Sequence, residues 1–138
     1  MVNNTKNTTV LPADIKKQLR QMIETNAINA YKTRLSEGNF EAAAYIAKEH
    51  ELTAEQMKAA AVKAYETCVS KGKLDDAEKI AKEHELTKKQ MKAAAVSAYE
   101  KCLYEGYFEH AADIAEYYEL GKDIVDGTNK LLDLLRIN

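Results

Sequence analysis

Two stretches of this chain are near copies of each other. Ile46 to Gly72 reads IAKEHELTAEQMKAAAVKAYETCVSKG, and Ile80 to Gly106 reads IAKEHELTKKQMKAAAVSAYEKCLYEG. Tyr65 and Tyr99, Cys68 and Cys102, and Gly72 and Gly106 are each 34 positions apart. A weaker copy one period earlier holds Tyr31, Gly38, Phe40 and Ala43. A period of this length marks one supersecondary unit per copy. Such a unit cannot cover its own apolar face, so neighbours must stack into a continuous core.

The 138 residues suffice for one domain with a useful core. One proline and five glycines leave little room for long loops, and alanine, lysine, glutamate and leucine favour helix. The net charge of −2 offers no basic excess to gather on phosphate, which argues against nucleic acid and anionic membrane as partners. No run of about 18 apolar residues is present to span a bilayer. The start, MVNNTKNTTV, has no apolar signal core, so a cytoplasmic location is expected. The two cysteines stand one period apart, on equivalent faces of stacked helices about 10 Å from each other. That is too far for a disulfide, and free buried thiols are expected.

Residues 1–10 are expected to be a disordered tail. Residues 11–138 are expected to form a single helical-repeat domain, with repeats at about 19–52, 53–86 and 87–120. Ile15, Leu19, Met22, Ile23, Ala27, Ala30, Tyr31 and Leu35 recur at helical spacing and predict a first helix over about 12–37, in which Thr25 and Asn26, both weak helix formers, could introduce a bend or a break. Thr53 with Gln56, and Thr87 with Gln90, are capping boxes one period apart. From each runs the same apolar stripe: Met57, Ala60, Ala61, Ala64, Tyr65, Cys68 and Val69, then Met91, Ala94, Ala95, Ala98, Tyr99, Cys102 and Leu103. Gly72 and Gly106 are expected in the left-handed conformation just past a helix end. Shorter helices follow with Leu74, Ala77, Ile80 and Ala81, and with Phe108, Ala111, Ile114 and Ala115. Gly121 stops the last of them, and residues 122–137 predict a capping helix. Its Leu131, Leu132, Leu134 and Leu135 cover more than one side, which leaves some for a partner or for a second copy of the chain.

No catalytic constellation is visible, and the chain is not expected to be an enzyme. His50 and His84 lack the partner histidine four residues on that a zinc site of that kind needs. Near helix C-termini, they are expected to interact with the helix dipole. Tyr118 in the third copy supports a role in shape. The cysteines have no histidine at ligand spacing and read as small apolar fillers. No metal or cofactor is implied.

Small residues at spaced positions, then a turn glycine and an aromatic, resemble a tetratricopeptide repeat. The match lies in Gly38-Asn-Phe40-Glu-Ala-Ala43, Gly72-Lys-Leu74-Asp-Asp-Ala77 and Gly106-Tyr-Phe108-Glu-His-Ala111 and covers about residues 24–120. The chain departs from the family in its first helices. Alanines (Ala27, Ala61, Ala95) hold the tryptophan position, tyrosines (Tyr31, Tyr65, Tyr99) a small-residue position, and the late proline is missing. The resemblance implies an all-α fold: an α-α superhelix, a right-handed solenoid-type array of three helix pairs plus a C-terminal capping helix. It also implies a non-enzymatic adaptor that binds another protein or peptide in a groove lined by the first helices. Groove positions carried over this way are Asn29, Lys32, Ser36, Lys63, Glu66, Ser70, Ser97, Glu100 and Tyr104. These vary between copies while the stripe does not, as where Ser36 and Ser70 give way to Tyr104. Tyr104 and Tyr107 either anchor a ligand or pack on the closing helix. The alternative readings are an RNA-binding helical repeat, for which no basic column forms, and a module that self-associates through its C-terminal leucines.

Overall fold

The computed structural model describes residues 12–137. The tail expected at 1–10 lies outside the described residues. Those described form seven α-helices and no strand: α1 (Ala13–Ser36), α2 (Phe40–Glu49), α3 (Ala54–Ser70), α4 (Leu74–Glu83), α5 (Lys88–Glu105), α6 (Phe108–Tyr117) and α7 (Lys122–Ile137). The fold is all-α. The short helices begin at Phe40, Leu74 and Phe108, in step with the sequence period.

Local chemistry sets these boundaries. Both capping boxes are formed. The Thr53 and Thr87 hydroxyls accept the N–H of Gln56 and Gln90, and each glutamine side chain accepts the threonine N–H in return. At the end of α3, Gly72 stands at φ +76°, with its N–H on the Val69 carbonyl and the Lys73 N–H on Cys68 (2.8 Å). The short helices end in the same motif with a less permissive residue. Glu51, Glu85 and Glu119 stand at φ of 48–51°. The left-handed conformation costs an L-residue roughly 1–2 kcal/mol. The leucine that follows each glutamate donates its N–H to the carbonyl five residues back, at 2.9 Å, and Leu52 and Leu86 are buried. Burial of those leucines offsets the strain.

The core is the stripe read from the sequence. Ala61, Ala64, Cys68 and Val69 on α3, and Ala95 and Ala98 on α5, have no exposed surface. The alanines let the helices approach closely. Helix α3 is central: it packs on α1, α4 and α5, and α6 also touches it. The first helices of successive pairs thus lie side by side, and each later short helix reaches back to the first helix of the pair before it. Helix α7 packs on α6.

The first helix differs from expectation in what it buries. It runs unbroken through Thr25 and Asn26, but its first buried residue is Ala27. Ile15, Leu19, Met22 and Ile23 are 41–60% exposed. One period later, Met57 shares a cleft with Ala47 and Leu52 at the end of α2. Among the described residues no short helix precedes α1 to do the same for Ile23.

Candidate functional site

Each first helix carries a tyrosine whose hydroxyl reaches another element. Tyr31 Oη lies 3.1 Å from His84 Nε2, with the rings edge to face at 6.1 Å. One period on, Tyr65 Oη lies 2.6 Å from Tyr118 Oη, with the rings edge to face at 6.4 Å. Among the described residues there is no fourth short helix for Tyr99 to reach. Its hydroxyl meets Thr128 Oγ1 on α7 at 2.6 Å. The threonine hydroxyl donates to the Ile124 carbonyl, so Tyr99 is the donor to Thr128. Burial, with the Glu83 carboxylate adding to it, pushes the Tyr31 phenol up to about 12. Burial likewise raises Tyr65 and Tyr118. Burial lowers His84 below the ordinary histidine value, against the opposing pull of Glu83. His84, the residue that ends α4, is thus held toward its neutral form by burial, with its ring paired to the Tyr31 hydroxyl.

The cysteines do more than fill space. Cys68 Sγ donates to the Ser36 carbonyl and Cys102 Sγ to the Ser70 carbonyl, each at 3.4 Å. Each thiol thus satisfies a carbonyl at the C-terminal end of the neighbouring first helix, where intrahelical partners run out. Both are free and buried. Burial, with Asp76 adding to it, pushes Cys68 up to about 11, which keeps it a thiol rather than a nucleophilic thiolate.

The predicted groove positions lie off the buried stripe. Asn29, Lys63, Glu100 and Tyr104 are exposed, and Lys32, Ser36, Glu66, Ser70 and Ser97 are half-buried. The Ser36 and Ser70 hydroxyls are turned to carbonyls of their own helices, on Lys32 and Thr67. Tyr104 is 94% exposed and Tyr107 56%, so neither is covered by the closing helix. A depression of about 410 Å³ is lined by Tyr107 together with Ser70, Lys71, Lys101, Glu105 and His110. Of the nine predicted positions, Ser70 alone lines it. On α7, Leu131 and Leu132 are half-buried, while Leu134 (60%) and Leu135 (50%) face outward.

A second concavity was not anticipated from the sequence. A cleft of about 480 Å³ opens where the ends of α2 and α4 meet above α1. Tyr31 and Leu35 contribute from α1, and Phe40, Ala43, Ala44, Ala47 and Lys48 from α2. Glu51, Leu52 and Met57 follow at the turn into α3, and Glu83 and His84 stand at the end of α4. Apolar groups line the interior, and Lys48, Glu51 and Glu83 are exposed. One period on, Ala44 becomes Glu78 and Glu83 becomes Tyr117, but their neighbours change as well, so neither position stands out in the sequence.

Among the described residues no group of three His, Cys, Asp or Glu side chains could hold a metal ion, and no helix is long and apolar enough to cross a membrane. Comparison with family models, with curated proteins and with solved structures finds no match to this chain.

Proposed function

We propose that this chain is a non-enzymatic adaptor that binds another protein or peptide along the outer row of its first helices. Side-by-side packing of α1, α3 and α5 supports a right-handed superhelical array of the tetratricopeptide-like kind. Two buried free thiols support the cytoplasm as its location. One observation carries the binding site. Tyr104 is an aromatic ring 94% exposed at a position where the other copies hold serine, so the fold does not require it. Exposed tyrosines of this kind serve as interface anchors. Tyr107, edge-on to His110 at a centroid distance of 6.3 Å, and the depression beside Ser70 extend the surface.

The test is a comparative capture from lysate, with wild type and Tyr104→Ala immobilised at equal density and retained proteins quantified by mass spectrometry. The expected result is a partner retained by wild type and depleted at least fivefold on the variant. Identical retention by the two baits removes the first-helix row as the site. Retention of labelled single-stranded RNA at physiological salt would replace the adaptor reading with the nucleic-acid one.

A further inference from the structure

The molecule contains two versions of the same junction, and only one of them is bridged across its mouth. Where α4 and α6 meet, the Tyr117 hydroxyl donates to Glu78 Oε1 at 3.0 Å, and the Tyr117 ring lies edge-on to Tyr118 at 4.9 Å. An aromatic side chain with a polar tip thus spans from one short helix to the other. Where α2 and α4 meet, Ala44 stands in place of Glu78, Glu83 in place of Tyr117 and His84 in place of Tyr118. Neither Ala44 nor Glu83 can make that bridge, and the cleft of about 480 Å³ lies there. Its interior keeps the apolar residues Leu35, Ala43, Ala47 and Leu52, whose counterparts are Val69, Ala77, Ala81 and Leu86.

We propose that the cleft between α2 and α4 is a binding site for an aromatic side chain flanked by basic residues, presented by a partner peptide. In the second junction the Tyr117 ring, 53% exposed, lies across the mouth against the aromatic side chain that ends the short helix. In the first junction the ring must come from outside. Phe40, Met57 and the Tyr31–His84 pair offer it aromatic and sulfur contacts. The exposed rim carries two carboxylates, Glu51 and Glu83, against one ammonium, Lys48, and this charge selects basic neighbours over acidic ones. The volume falls in the range of small-ligand sites, enough for one or two side chains and not for a helix. This site stands apart from the Tyr104 row and does not depend on it.

The test is a titration of the ¹⁵N-labelled protein at low ionic strength with acetyl-Lys-Trp-Lys-amide, with acetyl-Glu-Trp-Glu-amide and acetyl-Lys-Gly-Lys-amide as controls. The first peptide is expected to shift the amides of Ala43, Ala44 and Leu52 and to bind at least about threefold more tightly than the acidic one, with the glycine peptide silent. Grafting the second junction's bridge onto the first, as Ala44→Glu with Glu83→Tyr, should abolish those shifts. The reciprocal pair Glu78→Ala with Tyr117→Glu should create a second set of shifts at Ala77, Ile80 and Leu86. Tyr104→Ala should leave cleft binding intact, so that failure here and failure of the first-helix row are read separately. Absence of cleft shifts in wild type, equal binding of the acidic peptide, or shifts that persist in the grafted variant would overturn the proposal.

Discussion

Replacing Tyr65 and Tyr118 by phenylalanine, singly and together, tests the inter-helix links most directly. The two hydroxyls are 2.6 Å apart and their residues lie 53 positions apart in the chain, so each substitution removes one partner of a long-range hydrogen bond. A neutral bond of this kind contributes about 0.5–1.5 kcal/mol net, whereas a buried group stranded without its partner costs about 1–3 kcal/mol. The two sides differ in burial. Tyr65 is 3% exposed, while Tyr118 is half-buried and can regain water. Tyr118→Phe strands the deeper hydroxyl and should cost about 2 kcal/mol. Tyr65→Phe strands the shallower one and should cost about 1 kcal/mol. The double variant keeps both rings edge to face and strands nothing, so it should cost only about 1 kcal/mol. The coupling is then about 2 kcal/mol, well outside additivity for unlinked sites. Urea unfolding followed by circular dichroism reads these values from the midpoints at constant slope, provided the transition is two-state. In thermal melts each kcal/mol corresponds to roughly 3–6 °C for a chain of this size. Additive single effects, or a Tyr65→Phe variant that costs more than Tyr118→Phe, would refute the pairing as the source of stability.

Gly72→Val should lower stability by more than about 1 kcal/mol. The residue sits at φ +76°, and an added Cβ would come within 3.1 Å of the His110 ring. An unchanged unfolding midpoint would place the end of α3 elsewhere. Burial holds His84 below its ordinary value of 6.5, so as pH falls past about 6.5 the unfolded chain takes a proton that the folded chain resists. Stability should fall from there downward until the folded-state value is passed, and the loss of melting temperature between pH 7.5 and 5.5 should be smaller in His84→Tyr; equal losses would show that His84 is not buried neutral. Cys68 is fully buried with its thiol pushed up to about 11, so its reaction with an aromatic disulfide reagent at pH 8 should track global unfolding and accelerate in urea with the unfolded fraction. Immediate full labelling in native buffer would refute that burial.

Much of the fold was legible in the chain because its causes act within a few residues. Thr53 finds Gln56 three positions on, Gly72 closes the helix it follows, and the Ala61–Ala64–Cys68 stripe defines one face by helical spacing alone. Internal copying added what a single sequence otherwise lacks: positions held in step, such as Tyr65 and Tyr99, against positions that drift, such as Ser70 and Tyr104. The registers between copies were another matter. That Tyr31 pairs with His84 and Tyr65 with Tyr118 depends on how far each short helix reaches back over the preceding first helix, and no local rule sets that distance. The same holds for the thiols, whose acceptors Ser36 and Ser70 belong to the neighbouring helix. Ile15, Leu19, Met22 and Ile23 have a sound helical period. Period reports which residues share a face, but what stands against that face is decided by tertiary packing, and it leaves these four exposed. The cleft arises the same way. Ala44 and Glu83 are unremarkable in sequence, and only the approach of α2 to α4 turns a small side chain and an unbridged carboxylate into an opening.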